Sequence, residues 1–316
     1  MAQWKLFRTE KELSRVAAID CGTNSIRLLI ADISEGNFRE IDRRMEIVRL
    51  GEGVDKNKSF DPKAIERTLS AVSKFADEIR RRGVTAIRFC ATSATRDAQN
   101  RALFVDGVRE ILGIEPEVIS GDEEARLSFM GAVLELHPSD APFLVVDIGG
   151  GSTEFVFGDS KVSAAKSVNI GCVRMSERHF TTAPVESESI ERAIIDIDRA
   201  IIEASEVVPI KSAKTLVAVA GTATTVAAAA LNLDSYDRYA IHQSHISALR
   251  VSEISKRFLE MKREELASLG FMHPGRVDVI AAGALVLDRI MKATGLSEFV
   301  ASESDILDGI AWSLAN

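Results

Sequence analysis

Two stretches of the sequence carry residue types that hold phosphate and divalent cations, and they share one pattern. Residues 17–32 read AAIDCGTNSIRLLIAD and residues 144–159 read LVVDIGGGSTEFVFGD, at a fixed offset of 127 residues with no gap. In each stretch an apolar segment ends in an aspartate, Asp20 or Asp147, a glycine turn follows, and a second apolar segment returns. The repeat predicts two β-hairpins whose tight turns are rich in glycine.

A phosphate cradle is the chemistry that this pattern suits. Glycine lets backbone N–H groups approach a phosphate closely, and successive N–H groups form an anion-binding nest. An aspartate at the strand end faces the same space and can hold a divalent cation. Two such units facing each other would grip a chain of phosphates from both sides. The predicted cradles are Gly22, Thr23, Asn24 and Ser25 in the first unit, and Gly149, Gly150, Gly151, Ser152 and Thr153 in the second.

Strand and helix signals alternate around the two units, which predicts an α/β protein. Asp61 followed by proline opens an amphipathic helix, and Gly83 ends it. The segment 137–142 is the best candidate for an interdomain linker. The other predicted elements are strands at 86–90, 116–120 and 216–220, a helix capped by Asp122, and several helices from residue 251 onward.

Composition limits the class of protein. The chain has 316 residues, of which 46% are hydrophobic and 27% charged, as in soluble globular proteins with room for two domains. A formal charge of −8 argues against a general nucleic-acid binder. Residues 1–15 are charged and lack the apolar core of a secretory signal, and the apolar run 279–287 is too short to cross a membrane. We therefore expect a cytoplasmic protein with no membrane or nucleic-acid partner.

Seven motifs resemble the successive motifs of the exopolyphosphatase and guanosine pentaphosphate phosphohydrolase (Ppx/GppA) family. They are IDCGTNSIRLLI, ATSATRDA, ISGDEEARLSFMG, DIGGGSTEFVFG, NIGCVRMSERHF, AGTATTVAA and HPGRVDVIAAG, in the family's order and over nearly the whole chain. The resemblance implies an α/β fold with two actin-like domains, of the sugar kinase, heat-shock chaperone and actin superfamily, and an interdomain cleft. Because the chain stops at Asn316, it resembles the short, two-domain form.

The expected domains are residues 1–134 and 135–316. The superfamily resemblance implies that a final helix, about 306–316, returns to pack on the first domain. The spacing of the apolar residues fits one buried face of that helix, formed by Ile306, Leu307, Ile310, Ala311 and Leu314. A homodimer is expected mainly by resemblance.

Glu124 and Arg96 are the candidate catalytic residues by resemblance. Glu124 matches the second glutamate of the ISGxEEA motif, which activates the attacking water. From the sequence alone, the favourable helix dipole is the better explanation of an acid in the first turn of a helix, and the motif and the two phosphate loops reverse that preference. Arg96 matches the arginine of the ATSATRxA motif and could pair with phosphate oxygens. A salt bridge with Asp97 or another nearby acid is the alternative.

Asp147 and Glu154 are the predicted magnesium ligands, with Asp20 adding a ligand through water. Magnesium takes a few carboxylates together with waters and substrate oxygens, and manganese is an alternative cation. For Glu154 an exposed hairpin position is a serious alternative, since the first unit has Arg27 at the equivalent place. Gly221 and Thr222 resemble the superfamily's third loop and are expected to line the cleft.

These features predict a phosphoanhydride hydrolase that removes the terminal phosphate from inorganic polyphosphate. Hydrolysis of guanosine pentaphosphate is a close alternative, because both substrates present a terminal anhydride. A kinase of the same fold, or a sensor that binds polyphosphate or guanosine tetraphosphate without catalysis, are more distant alternatives. Glu124 argues against the kinase, and the set Glu124, Asp147 and Glu154 argues against the sensor.

Overall fold

The computed structural model describes residues 14–34 and 37–315. Its strands are β1 (Ser14–Cys21), β2 (Ser25–Ser34), β3 (Asn37–Ile47), β4 (Ala86–Ala91), β5 (Glu117–Val118), β6 (Phe143–Ile148), β7 (Thr153–Gly158), β8 (Val162–Val168), β9 (Thr215–Val219), β10 (His245–Ser247) and β11 (Glu298–Ala301). Its helices are α1 (Val54–Asn57), α2 (Pro62–Arg82), α3 (Ser93–Asp97), α4 (Arg101–Leu112), α5 (Gly121–Val133), α6 (Cys172–His179), α7 (Ser187–Ser205), α8 (Ala220–Ala230), α9 (Arg238–Ile241), α10 (Ala248–Glu260), α11 (Arg263–Ala267), α12 (Ile280–Thr294) and α13 (Ile306–Trp312).

The strands form two mixed sheets that repeat one arrangement. The first has the order β3-β2-β1-β4-β5 and the second β10-β11-β9-β6-β7-β8. In each, three antiparallel strands come first along the chain, a fourth (β4 or β9) joins parallel to the first of them, and a fifth (β5 or β11) joins parallel to the fourth. The second sheet also has β10, which pairs antiparallel with β11. The predicted hairpins are confirmed as β1–β2 and β6–β7, and the α/β class is confirmed.

Local sequence signals set both ends of helix α2, which packs on the first sheet. The Asp61 side chain accepts a hydrogen bond from the N–H of Lys63, and Pro62 occupies the first helical position. Gly83 ends the helix at φ +66°, a conformation that glycine adopts without strain. Apolar side chains on one face, among them Val72 and Phe75, pack into the core beneath. The bounds predicted from the sequence are confirmed.

The entry to α5 differs from the prediction. The strand before it covers only Glu117–Val118, and Ser120 rather than Asp122 caps the helix. The Ser120 hydroxyl accepts from the N–H of Glu123 at 3.2 Å, which is the ordinary capping geometry. Asp122 lies inside the first turn, so the cap prediction was wrong by two residues.

Helices α5 and α13 lie together between the sheets. The Leu127 side of α5 packs with α13 and the first sheet, whereas the Phe129 side packs on the second. The two helices cross at glycines: a Cβ on Gly131 would lie 1.8 Å from the carbonyl oxygen of Asp305, and one on Gly309 would lie 2.0 Å from that of Leu127. Helix α5 contacts both sheets, so its contacts do not assign it to one domain. The domain division near residue 134 therefore stays a prediction. The last predicted residue of the final helix, Asn316, lies outside the described residues.

Within residues 14–34 and 37–315, no helix combines the length and the apolar character needed to span a bilayer.

Candidate active site

A cleft of ≈ 670 Å³ is lined by residues of both sheets and both glycine turns. We call the turn at residues 22–25 the first phosphate loop and the turn at 149–152 the second. Asp20, Glu124 and Asp147 line the same cleft. The structure therefore brings together these predicted residues, which lie up to 132 positions apart in the chain, as Asp20 and Ser152 do.

The two loops have the same internal hydrogen bond. The N–H of Gly22 donates to the carbonyl of Ser25 at 2.9 Å, and the N–H of Gly149 donates to the carbonyl of Ser152 at 3.1 Å. These pairs are related by the 127-residue offset of the sequence repeat. The repeat is thus a repeat of backbone conformation as well as of residue type.

Both loops are held from behind through their carbonyl groups. The N–H groups of Arg49 and Gly51 donate to the first loop, at 2.9 Å each, and those of Cys172 and Val173 donate to the second, at 2.9 Å each. With the carbonyls engaged on one side, successive N–H groups are available on the other. Among the described residues, the N–H groups of Asn24, Gly150 and Gly151 donate to no protein group. Such amides form the nest that an anion needs.

Two of the predicted cradle residues, Thr23 and Thr153, have surroundings that differ from those of a phosphate ligand. Thr23 lies between the loops: a Cβ on Gly150 would lie 2.8 Å from the Thr23 Cβ, so the loops are in direct contact there. Its hydroxyl is buried without a hydrogen-bond partner among the described residues. Thr153 is fully buried, and its hydroxyl donates to the carbonyl of Ile170. Since neighbouring strand residues point to opposite faces, Thr153 points away from the cleft, and its prediction as a phosphate ligand is corrected.

Asp147 and Glu154 face each other across β6 and β7 as a register pair. Ser128 donates to Asp147 at 2.6 Å, and Ser167 donates to the Oε1 of Glu154 at 2.7 Å. Burial, with the nearby charge of Asp305, raises the pKa of Asp147 to about 7. Burial, with the charges of Glu124 and Asp147, raises the pKa of Glu154 well above its ordinary value. Glu154 is 1% exposed, so it is not the exposed hairpin residue of the alternative.

Asp147 and Glu154, which we call the acid pair, are suited to a cation whose other ligands are water and substrate oxygens. The Oε2 of Glu154 is buried and has no hydrogen-bond partner among the described residues, although buried carboxylate oxygens are costly unless satisfied. In the same residues, no group of three or more His, Cys, Asp or Glu side chains is arranged to hold a metal. Magnesium usually takes only one or two carboxylates and completes its shell with water and phosphate oxygens. The donors Asp147 and Glu154 fit such an ion.

The first repeat unit places an ion pair where the second places two acids. Arg27 donates to Asp20 at 2.7 Å and also pairs with Asp305. Burial raises the pKa of Asp20, and the charge of Arg27 opposes that rise. Because one oxygen of Asp20 is taken by Arg27, only the other is open toward the cleft. Its role as a water-mediated metal ligand stays a prediction.

Glu124 is a cleft residue that is 8% exposed, held by Arg96. Arg96 donates to the Oε2 of Glu124 at 2.7 Å and to the carbonyl of Ile119 at 3.0 Å. Burial raises the pKa of Glu124, and the Arg96 charge opposes the rise. The ion-pair alternative for Arg96 therefore fits the structure, with Glu124 and not Asp97 as the acid. The arrangement fixes one oxygen of Glu124 and leaves the other to face the cleft.

Several residues of the site were not predicted. Ser128 lies one helical turn after Glu124, so the i, i+4 spacing could have indicated that both face the cleft. Asp305 had no such signal, because it follows its ion-pair partner Arg27 and the neighbouring acid Asp147 by more than 150 residues. The third loop lines the cleft at Gly221 and Thr222 as expected, and the side chain of Arg276 lies against Gly221.

Proteins similar to this chain in sequence and fold include members of one phosphatase family. The family model described as Ppx/GppA phosphatase matches residues 29–315. Exopolyphosphatase 2 of Mycobacterium tuberculosis is 44% identical, over 96% of this chain and 99% of that relative. A crystal structure of an exopolyphosphatase-like protein has a TM-score of 0.91 at 42% identity, covering 95% of this chain and 98% of the other.

A second solved structure extends the comparison. The Ppx/GppA family member of Aquifex aeolicus has a TM-score of 0.81 at 29% identity, over 96% of this chain and 98% of the other. These likenesses confirm the expected fold class, in which two mixed sheets with helices enclose the cleft. The residues matched by the family model include the second phosphate loop and the acids Glu124, Asp147 and Glu154. The chain belongs to the Ppx/GppA phosphatase family.

Proposed function

We propose that this protein is an exopolyphosphatase, which hydrolyses the terminal phosphoanhydride of inorganic polyphosphate and releases orthophosphate. The observation that carries the proposal is the buried Glu124, held by Arg96 in a cleft with two backbone anion nests. The 44% identity to a relative named exopolyphosphatase, over nearly the full length of both chains, supports it.

The protein positions the terminal phosphates and provides a proton acceptor. Backbone N–H groups of the two loops bind the terminal phosphates, and the free oxygen of Glu124 accepts a proton from water. The water oxygen bonds to the terminal phosphorus as the anhydride P–O bond breaks, and the shortened chain departs. Asp147 and Glu154 would hold magnesium, or manganese in its place, which would neutralise phosphate charge. Phosphoryl transfer needs little beyond such positioning and charge stabilisation.

Arg96 has a defined part in this scheme. Its hydrogen bond fixes the Glu124 carboxylate, and its charge favours the ionised form that a base requires. Because Glu124 is buried beside other acids, an ionised state without Arg96 would be harder to keep. We therefore assign Arg96 to holding Glu124 rather than to binding the leaving phosphate.

Guanosine pentaphosphate is the second candidate substrate, since its terminal anhydride would meet the same groups. Phosphate release from polyphosphates of several lengths and from guanosine pentaphosphate, measured side by side, separates the two. Release without any acceptor also excludes the kinase alternative, and turnover excludes the sensor.

The sharpest test is Glu124→Gln. It should lower kcat by about 10²–10⁴-fold, the range for a positioned general base, while polyphosphate binding survives. The matched control is Glu123→Gln, because Glu123 is the neighbouring acid, is only partly buried and pairs with Arg88 at 3.1 Å. Near-normal turnover in Glu124→Gln would refute its role as the base.

We also propose a cytoplasmic homodimer, on the family resemblance. Light scattering that gives the mass of one 34.4 kDa chain at micromolar concentration would contradict the dimer.

A further inference from the structure

Arg174 is a buried arginine on α6 that the proposed reaction does not use. Its side chain is 7% exposed, although the chain's other arginines are mostly at the surface. A guanidinium group carries five N–H donors in a rigid planar fork. A buried one must have its donors satisfied, so its partners show what it holds.

The three partners of Arg174 come from three separate segments. Its Nε donates to the carbonyl of Gly151 in the second phosphate loop at 2.6 Å. One terminal nitrogen pairs with Asp55 on α1, and the other donates to Asp97 on α3 at 2.6 Å. Gly151 belongs to the second half of the chain, whereas Asp55 and Asp97 belong to the first. One side chain thus ties the second loop to the opposite half of the molecule.

The bond to Gly151 sets the direction of the second loop. The amides at the start of α6 already hold the carbonyls of Gly149 and Gly150, and Arg174 takes the next carbonyl in line. With three successive carbonyls held on the α6 side, the N–H groups that share a planar peptide with them, those of Gly150, Gly151 and Ser152, face elsewhere. Loss of the Arg174 bond would allow the peptide between Gly151 and Ser152 to rotate and to turn the N–H of Ser152 away from the nest.

The hydrogen bond to Asp97 links Arg174 indirectly to Glu124, the candidate base. Asp97 follows Arg96 directly, and α3 is a helix of only five residues that carries both. A helix this short has little stability of its own and depends on its contacts. Arg174 therefore fixes, through α3, the residue that orients Glu124.

The contact with Asp55 is an ion pair between charged side chains. Burial disfavours the ionised form of Asp55, yet hydrogen bonds and charge from Arg178 and Arg174 lower its pKa to about 2. Asp55 therefore stays ionised throughout the neutral range. Asp55 and Asp97 offer Arg174 two carboxylates, so each of its three guanidinium nitrogens has a partner.

We propose that Arg174 is a positioning residue, which sets the second phosphate loop and the Arg96–Glu124 pair in one fixed relation across the two halves. The inference rests on the proposed function for its link to catalysis. Its link to phosphate binding does not, because the loop geometry can be tested with tripolyphosphate as a ligand.

The test compares Arg174→Gln with Arg178→Gln at a temperature where both are folded. Arg178 is the matched control, since it also lies on α6 and pairs with Asp55 at 2.7 Å but does not touch the loop. We expect Arg174→Gln to lower kcat/KM for polyphosphate by about 100-fold, the cost of a misplacement of about 1 Å. The control should stay within about twofold. Arg174→Lys should lose at least tenfold, because one ammonium cannot satisfy three segments.

Tripolyphosphate binding, measured by calorimetry, gives a readout that mere destabilisation would not move. We expect the Kd to rise about tenfold in Arg174→Gln and to stay unchanged in Arg178→Gln. A folded Arg174→Gln with wild-type kcat/KM and Kd would overturn the inference. If wild-type protein releases no phosphate but binds tripolyphosphate, the proposed function fails, and the Kd comparison still decides the inference.

Asp97→Asn keeps the inference testable if Arg174→Gln does not fold. This change removes only the arm toward α3 and leaves the Gly151 bond. We expect kcat to fall about tenfold while the tripolyphosphate Kd stays unchanged. An unchanged kcat would show that Arg174 does not act through α3.

Discussion

Replacing Gly309 by alanine tests how closely α5 and α13 must approach. The added Cβ would lie 2.0 Å from the backbone oxygen of Leu127 and 2.8 Å from its carbonyl carbon. Carbon atoms in ordinary contact stay about 3.5–4.0 Å apart. Backbone atoms cannot swing aside as a side chain can, so the helices must separate by roughly 1 Å at the crossing.

Two opposing effects set the size of the change. Alanine stabilises a helix interior by about 0.5–1 kcal/mol relative to glycine. Overpacking a tight core costs about 1–3 kcal/mol, and here the clash is with the backbone. The net loss should be about 1–2 kcal/mol, which lowers the melting temperature by about 2–8 °C. Turnover should fall by about tenfold, because α5 carries Glu124 and Asp305 caps α13.

Gly107→Ala is the matched control for thermal unfolding and phosphate release. It also lies inside a helix, α4, but the nearest atom to its Cβ would be the Cδ1 of Leu69, a flexible side chain, at 2.5 Å. That side chain can move, so the gain in helix propensity should leave the melting temperature unchanged or raised. A Gly309→Ala protein that melts at or above the wild-type temperature would refute the close crossing of α5 and α13.

Two more changes have defined outcomes. Ser128→Ala removes the donor to Asp147 and should raise the magnesium concentration for half-maximal activity about tenfold; an unchanged value would exclude Asp147 as a ligand oriented by Ser128. Hydrogen bonds from Arg15 hold the pKa of Asp32 at about 2, so its contribution is present above about pH 4 and lost as pH falls toward 2. Asp32→Asn should therefore cost about 1 kcal/mol after solvent screening in urea unfolding at pH 7, and less at pH 3; an equal loss at both would contradict this.

The sequence was most informative where a short segment determines its own structure. The 127-residue repeat predicted both hairpins and both loops, because glycine turns and apolar alternation act over a few residues. Helix α2 was predicted to the residue, since Asp61, the following proline and Gly83 each act at one end. The Ser120 cap was missed because Asp122, two residues later, is an equally good capping type by sequence.

The rest of the site depends on contacts that no local pattern reports. Asp305 meets Arg27 only because α13 returns against the first sheet. Thr153 could have been excluded from the sequence, since Glu154 was predicted to bind the cation beside Asp147 and neighbouring strand residues point to opposite faces. The pairing of Arg96 with Glu124 instead of Asp97 was undecided, because α3 turns the two side chains in different directions. Thr23 looked like a cradle residue, and only the structure shows that its side chain packs against the second loop.

The contact of Thr23 with Gly150 has a consequence for how a polymer can be cut. Because the two loops touch there, a phosphate chain cannot pass between Thr23 and Gly150. Under the proposed function, we therefore expect a polyphosphate to meet the loops by its end. Chain ends, rather than chain length, would then set the number of sites open to attack, and a ring of phosphates would offer none.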